Sequence, residues 1–297
     1  MVSYPLLSAT QQHNLPELIQ VSALPAMYED STHQLWHCDT VDGEMMLKVC
    51  NADNVKNSSF WQGMKSLFDV DLTQSLGQFN QVYQQLSQLS SLVVPEFIAA
   101  DCASKPSSPA FILTQFELGT MVDSKQVNND MIMSLAEHIS QCHQCENTQW
   151  GELYNAKKSA DEWGYKLHST LMLLAKSQNI PSEILGDIGN QTKLISSEKF
   201  VPVMIDLRWD QFLQQDDKLT ALVDLDAFVY APKELEFVLL EYLLNEQQAT
   251  EFKQYYQQKQ QIPDLSAVRA PYRLLFFLMN VLGETDVYLW MNTAKKF

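Results

Sequence analysis

The sequence predicts an α+β chain of two lobes, a small strand-rich N-lobe and a larger, mainly helical C-lobe. Three observations predict it. Apolar runs broken by turn residues dominate residues 23–50 and 93–117. Helical spacing of apolar residues dominates after residue 120. One strand–turn–strand stretch, "VPVMIDLRWDQFLQQDDKLTALVDLDAF" at 201–228, interrupts the helical half and carries six aspartates.

The elements follow in order. "ALPAMYE" (23–29) reads as a strand leading into the polar "DSTH" (30–33). "QLWHCDT" and "EMMLKVC" flank the turn "VDG" (41–43), and Asp-Gly between apolar runs signals a hairpin. Residues 54–92 read as helical, with Phe60, Leu67, Leu76, Phe79, Tyr83 and Leu86 at roughly helical spacing. "VVPEFIAAD" (93–101) and "AFILTQFE" (110–117) read as two more strands. A connector near 115–120 then divides an N-lobe, 1–117, from a C-lobe, 118–297. In the C-lobe, residues 130–146, 153–178, 181–196 and the chain from Pro232 onward read as helices. A hairpin over 203–226, turning at "QQDDK" (214–218), stands between them.

The chain has 297 residues, enough to bury a substantial core, with 46% apolar and 19% charged residues. Its net charge is −16 and its isoelectric point about 4.7. Such a surface repels the phosphates of nucleic acid and anionic lipid, so neither is expected as a partner. The opening "MVSYPLLSATQQHNLPELIQ" has no basic start and no long apolar core, unlike a secretory signal. The apolar run Leu274–Met279 is too short to span a membrane. Five cysteines, an odd number without a paired framework, suggest reduced thiols and a cytoplasmic protein.

The P-loop, dinucleotide, nucleophile-elbow and zincin motifs are all missing. "CHQC" (142–145), with His138, is either a metal or thiol set on one helix face or a pair of thiols at a helix end. Lys48 stands alone in the apolar "MMLKV". It either faces solvent or is a buried ammonium in need of an anion such as phosphate. In the aspartate-rich stretch, Asp206 ends one apolar run, Gln211 lies five residues on, and Asp224 ends a further run. Metal-assisted phosphoryl transfer uses this spacing: one aspartate deprotonates the acceptor hydroxyl, while an amide and another aspartate hold Mg²⁺. Caps and turns are the alternative, and Asp216 with Asp217 reads as a turn.

Together these residues resemble the aminoglycoside phosphotransferase and choline kinase superfamily, which has a bilobal protein-kinase-like fold. The resemblance runs from about residue 23 to 283. "MIDLRWDQFL-QQDDKLT-ALVDLD" is similar to the family pattern H-G-D-x-x-x-x-N, turn, hydrophobic-D. "LAEHISQCHQ" (135–144) resembles the family's helix ending in Leu-His, which gives the CHQC segment a structural role. "DEWGYKL" (161–167), "DAFVYAPKELEFVLLEYLL" (226–244) and "PYRLLFFLMNVLG" (271–283) resemble the fructosamine kinase branch.

The resemblance implies ATP and Mg²⁺ as cofactors. It puts Asp206 at the catalytic base and Lys48 at the phosphate-binding lysine. Gln115, Phe116 and Glu117 border the adenine, and Gln211 and Asp224 hold the metal. On the fructosamine kinase alignment Asp226 takes that metal place. The acceptor is a small molecule of amine, amino-sugar or ketoamine type, and the acidic charge suits a cationic one. The chain also departs from the family. Met204 replaces histidine, Ile205 replaces glycine, and Gln211 replaces asparagine. Gln78 stands where the family often has the glutamate that pairs with the lysine. These departures keep open a second reading, a kinase-fold protein that binds a nucleotide or partner without phosphoryl transfer.

Overall fold

Residues 2–26, 31–105 and 108–297 are described by a computed structural model of the chain. After a single turn of helix, α1 (Ala9–Gln12), the first strand, β1 (Leu18–Leu24), begins five residues earlier than the sequence suggests. Residues 27–30, at the end of that expected strand, lie outside the described residues. The expected hairpin forms: β2 (His33–Thr40) pairs antiparallel with β3 (Gly43–Cys50), from His33↔Cys50 to Thr40↔Gly43. Gly43, at φ 118°, supplies a turn conformation that side chains avoid.

The helical stretch expected at 54–92 is broken into α2 (Ala52–Asn57), α3 (Ser59–Phe68), α4 (Leu72–Ser75) and α5 (Phe79–Leu89). Ser58 caps the start of α3, accepting from Trp61 N, and Asp69 ends it in the left-handed conformation at φ 66°. β4 (Phe97–Asp101) and β5 (Phe111–Gln115) complete an antiparallel sheet in the order β1-β2-β3-β5-β4.

The chain then leaves through β6 (Thr120–Met121) into α6 (Asn129–Cys142), capped by Asn128. The helix expected from 153 begins at Trp163 instead. After β7 (Gly151–Glu152) the chain doubles back, and Trp150 exchanges both backbone hydrogen bonds with Lys158. Only then do α7 (Trp163–Ala175) and α8 (Ser182–Thr192) form.

The aspartate-rich stretch is not one hairpin. β8 (Val201–Met204) does not pair with the strand after the turn. A short 3₁₀ turn at Trp209–Gln211 redirects the chain into β9 (Phe212–Gln215), which pairs with β10 (Lys218–Leu222). Asp216 and Asp217, at φ 48° and 60°, make the turn, and aspartate is one of the few residues that tolerates two such angles. β8 instead pairs with β11 (Phe228–Ala231), giving sheets ordered β7-β11-β8 and β10-β9-β6. The chain ends in α9 (Lys233–Leu243), α10 (Glu246–Tyr256), α11 (Arg269–Leu278) and α12 (Val287–Met291).

One large apolar core runs from α3 and α5 into the C-lobe helices. Trp150, Trp163 and Phe200 lie at its centre, fully buried. Glu241 on α9 is also buried, and it receives Arg273 at 2.6 Å, Arg269 at 3.2 Å and the Lys296 amide at 2.9 Å, which seats the tail. Among the described residues no helix is long and apolar enough to cross a membrane.

Gly164 on α7 touches the end of α8 closely. A Cβ there would lie 2.6 Å from the Ile195 carbonyl and 2.8 Å from that of Thr192, both backbone atoms that cannot swing away. Gly164→Ala is therefore expected to destabilise the fold by about 1–3 kcal/mol. Urea unfolding of the two proteins measures this directly, and an unchanged midpoint would contradict it.

Candidate active site

β3, β5 and the loops after β8 and β10 meet at a cavity of about 930 Å³ between the N-lobe sheet and the C-lobe. Lys48, Gln115, Phe116, Glu117, Asp206, Gln211, Asp224 and Asp226 all line it. Residues some 180 apart in sequence thus share one space. Strand alternation turns Lys48 inward from the middle of β3, where it is 8% exposed. The solvent-facing reading of Lys48 is therefore set aside.

Lys48 Nζ lies 3.2 Å from Asp224 Oδ1 and donates to the Val223 carbonyl at 3.1 Å. Burial disfavours its charge, but Asp224 and Asp226 outweigh burial and raise its pKa overall, so it stays an ammonium. For Asp224 the balance runs the other way: burial alone would raise its carboxyl, and Lys48 holds it below the usual value. Asp226 sits two residues on and 5% exposed. Burial, then the neighbouring Asp224, pushes it up to about 7.

Asp206 follows β8. Its backbone is positioned from two sides. Ile205 N donates to the Ala227 carbonyl at 3.1 Å, and Met204 N donates to Glu236 Oε1 at 3.1 Å. Glu236, on α9, is buried and also meets His143 Nε2 at 2.8 Å, while His143 Nδ1 meets the Tyr256 hydroxyl at 2.8 Å. The "CHQC" segment thus supports β8. Cys142 is buried, with a thiol raised well above its usual value by burial, and Cys145 packs 3.3 Å from the Tyr230 hydroxyl. Ile205, in place of glycine, is fully buried and does not line the cavity.

Burial raises Asp206 itself to about 7, with Asp224, Asp210 and Asp226 adding to it and Arg208 opposing. Arg208 Nη2 lies 3.5 Å from Asp206 Oδ2, and its Nε donates to Asp210 at 3.1 Å. The Gln211 amide bridges this group to Asp224. In the orientation that satisfies both of its ends, its oxygen accepts from Arg208 Nη2 at 2.7 Å and its nitrogen donates to Asp224 Oδ2 at 3.2 Å. That orientation replaces a weaker 3.4 Å contact to Asp206. Gln211 therefore sits at the aspartates but turns a donor toward them. Its extra methylene, compared with asparagine, lets it span the gap.

A divalent ion fits the carboxylates. Both oxygens of Asp226 are buried without a hydrogen-bond partner among the described residues, and the ionised Asp224 lies beside them. Paired buried carboxylates are the donor set that hard cations prefer.

Three residues of this site were missed in the sequence. Arg208 stands inside the quoted motif, and its charge two residues after Asp206 was the available signal. His33 opens β2 and reaches Asp226, with Nε2 to Oδ2 at 3.5 Å. Burial, helped by Lys48, lowers it to about 4, so it is neutral at physiological pH. Tyr83 on α5 is buried with its hydroxyl unpartnered among the described residues, in the field of Lys48, Asp224 and Asp226. Gln78, expected in place of the glutamate, is exposed and accepts from Gln81. Elsewhere His37, Asp39 and Glu44 converge on the outer hairpin, with His37 Nε2 2.9 Å from Glu44; His37 and Asp39 are half-buried and Glu44 is exposed.

The fold is the bilobal protein-kinase-like fold of small-molecule phosphotransferases. A mutant aminoglycoside phosphotransferase, APH(4)-Ia, in complex with AMP-PNP and hygromycin B, superposes with a TM-score of 0.64 at 13% identity, covering 94% of this chain and 92% of its own. The macrolide 2′-phosphotransferase MphH of Brachybacterium faecium gives 0.60 at 12% identity, covering 98% of both chains. A protein of Haemophilus somnus 129PT, provisionally named a fructosamine-3-kinase, gives 0.59 at 14% identity over 96% of this chain and 93% of its own. At such identities the likeness is one of fold. No protein-family model and no curated protein matches the sequence.

Proposed function

We propose that the chain is an ATP-dependent phosphotransferase acting on a hydroxyl of a small molecule. The observation that carries this reading is the convergence of Lys48, Asp206 and Asp224 on one cavity. Lys48 binds the α- and β-phosphates, which displace Asp224 from its ammonium. Gln115, Phe116 and Glu117, at the end of β5, border the base. Asp206 takes the proton of the acceptor hydroxyl as that oxygen bonds to the γ-phosphorus and the bond to the β-phosphate oxygen breaks, leaving ADP. Arg208 faces the same space and offsets charge on the transferring group. Asp224 and Asp226, with Gln211 alongside, would hold a divalent ion such as Mg²⁺, which would supply charge neutralisation at the phosphate oxygens.

The domain division follows the same logic, with residues 1–117 carrying the nucleotide side and 118–297 the acceptor side. The acceptor class is an amine, amino sugar or ketoamine, for which a cationic group suits the acidic chain. A cytoplasmic location fits five unpaired cysteines.

One observation favours a second reading, a kinase-fold protein that binds a nucleotide without transfer. The lysine is paired with Asp224 rather than with a helix carboxylate, and Gln211 turns a donor to that same aspartate. An ATP-turnover assay with a panel of amines, amino sugars and ketoamines separates the two. Acceptor-dependent ADP release supports transfer. Nucleotide binding with no turnover on any acceptor would leave the second reading.

A further inference from the structure

His33 Nε2 and both carboxylate oxygens of Asp226 are buried without a hydrogen-bond partner among the described residues. Their side chains are 10% and 5% exposed, and both residues line the main cavity. Buried polar groups are almost always satisfied, so a cluster of unsatisfied ones marks the place of a missing partner.

The spacing says what kind. Nε2 and Oδ2 lie 3.5 Å apart. A strong N–H···O bond is shorter, about 2.7–3.2 Å. Two ligands about 2.0–2.2 Å from one ion, at roughly 90–110° to each other, stand about 2.8–3.6 Å apart. The separation suits two donors sharing a cation. Lys48 does not fill the gap: its ammonium lies against Asp224 and the Val223 carbonyl and makes no ion pair with Asp226. Asp224 turns one oxygen, without a hydrogen-bond partner, toward Lys48 and accepts from the Gln211 amide on the other, so Asp226 is the carboxylate with both oxygens unpartnered among the described residues.

We infer that His33 and Asp226 form a divalent-metal site whose imidazole ligand favours a first-row transition ion such as Mn²⁺ over Mg²⁺. Mg²⁺ takes oxygen ligands and sheds water reluctantly, whereas imidazole nitrogen binds transition ions well. The nucleotide's phosphate oxygens and water complete the shell, and to that extent the inference rests on the phosphotransferase reading. His33 opens β2 in the N-lobe and Asp226 lies between β10 and β11, so the ion ties the two lobes together over the phosphates.

Pulsed EPR of Mn²⁺ bound to the full chain with ADP tests this, because it detects ¹⁴N bonded to the metal. The expected result is a ¹⁴N coupling in the wild type that is lost in His33→Gln, with Mn²⁺ affinity falling roughly tenfold or more. Thermal melts show whether the variant is folded. If it is not, Asp226→Asn serves instead, and Mn²⁺ affinity is again expected to fall. Bound Mn²⁺ without ¹⁴N coupling overturns the inference. So does coupling that survives His33→Gln, as a site at the half-buried His37 would give. ADP binding without Mn²⁺ binding overturns the metal site and leaves the phosphotransferase reading standing, whereas failure of ADP itself to bind overturns both.

Discussion

Asp206→Asn is expected to slow phosphoryl transfer by about 10²–10⁴-fold while changing nucleotide affinity by less than about threefold. The carboxylate sits in the cavity with Lys48 and Asp224, and asparagine keeps its shape while removing its capacity to take a proton. Single-turnover kinetics with a responsive acceptor measure the chemical step apart from product release. Equal rates in the two proteins would remove Asp206 from its role. The pH profile should carry the same signature. Burial raises Asp206 to about 7, and only the ionised form accepts the proton. The rate is therefore expected to climb as pH rises to about 7 and level off above it. Stability moves the other way. The folded chain holds this proton more tightly than the unfolded chain does, so the contribution of Asp206 to folding is lost as pH rises from the ordinary value of 3.8 to about 7.

Glu236→Ala is expected to cost about 3–5 kcal/mol of stability, the usual range for breaking a buried pair from one side. The substitution strands His143 Nε2 and the Met204 amide, both buried and both deprived of the carboxylate they share. Its effect should reach the site as well. The Met204 amide lies two residues before Asp206, so any folded fraction is expected to transfer phosphate more slowly at unchanged nucleotide affinity. Thermal unfolding checks the first point and turnover the other. A melting temperature within a degree or two of wild type would contradict the placement of Glu236 as the anchor of β8. Glu236→Gln, which keeps an acceptor for the Met204 amide, should recover part of the loss.

These features differ in how far the sequence reveals them, and the difference is physical. The β2–β3 hairpin is legible because its period and its Asp-Gly turn are local signals. Lys48, Asp206 and Asp224 are legible because a charge at the end or centre of an apolar run conflicts with burial unless it has work to do. The pairing of β8 is not legible. Two successive apolar runs carry the pattern of a hairpin, and the Trp209–Gln211 turn, across which Arg208 meets Asp210, diverts the chain. The late start of α7 is hidden for a similar reason, since Trp150 and Lys158 pair through backbone groups that leave no mark on the pattern. Tyr83 and His33 escape because nothing along the chain predicts that α5 and the start of β2 turn these side chains to the same aspartates. Helical spacing marks Tyr83 only as a core residue of its helix, which it also is. Gln78 ends the 3₁₀ turn just before α5, where its side chain faces solvent.

The central claim is that Lys48 and the aspartates around it form a nucleotide–metal site. Isothermal titration of ATP into the full chain with a divalent ion, compared with the same titration of Lys48→Ala, tests it most directly. Saturable binding in the range of about 1 μM–1 mM, typical of enzyme substrates, is expected, with at least a roughly tenfold loss in the variant. An absence of binding with either Mg²⁺ or Mn²⁺, or an affinity indifferent to Lys48, would contradict it.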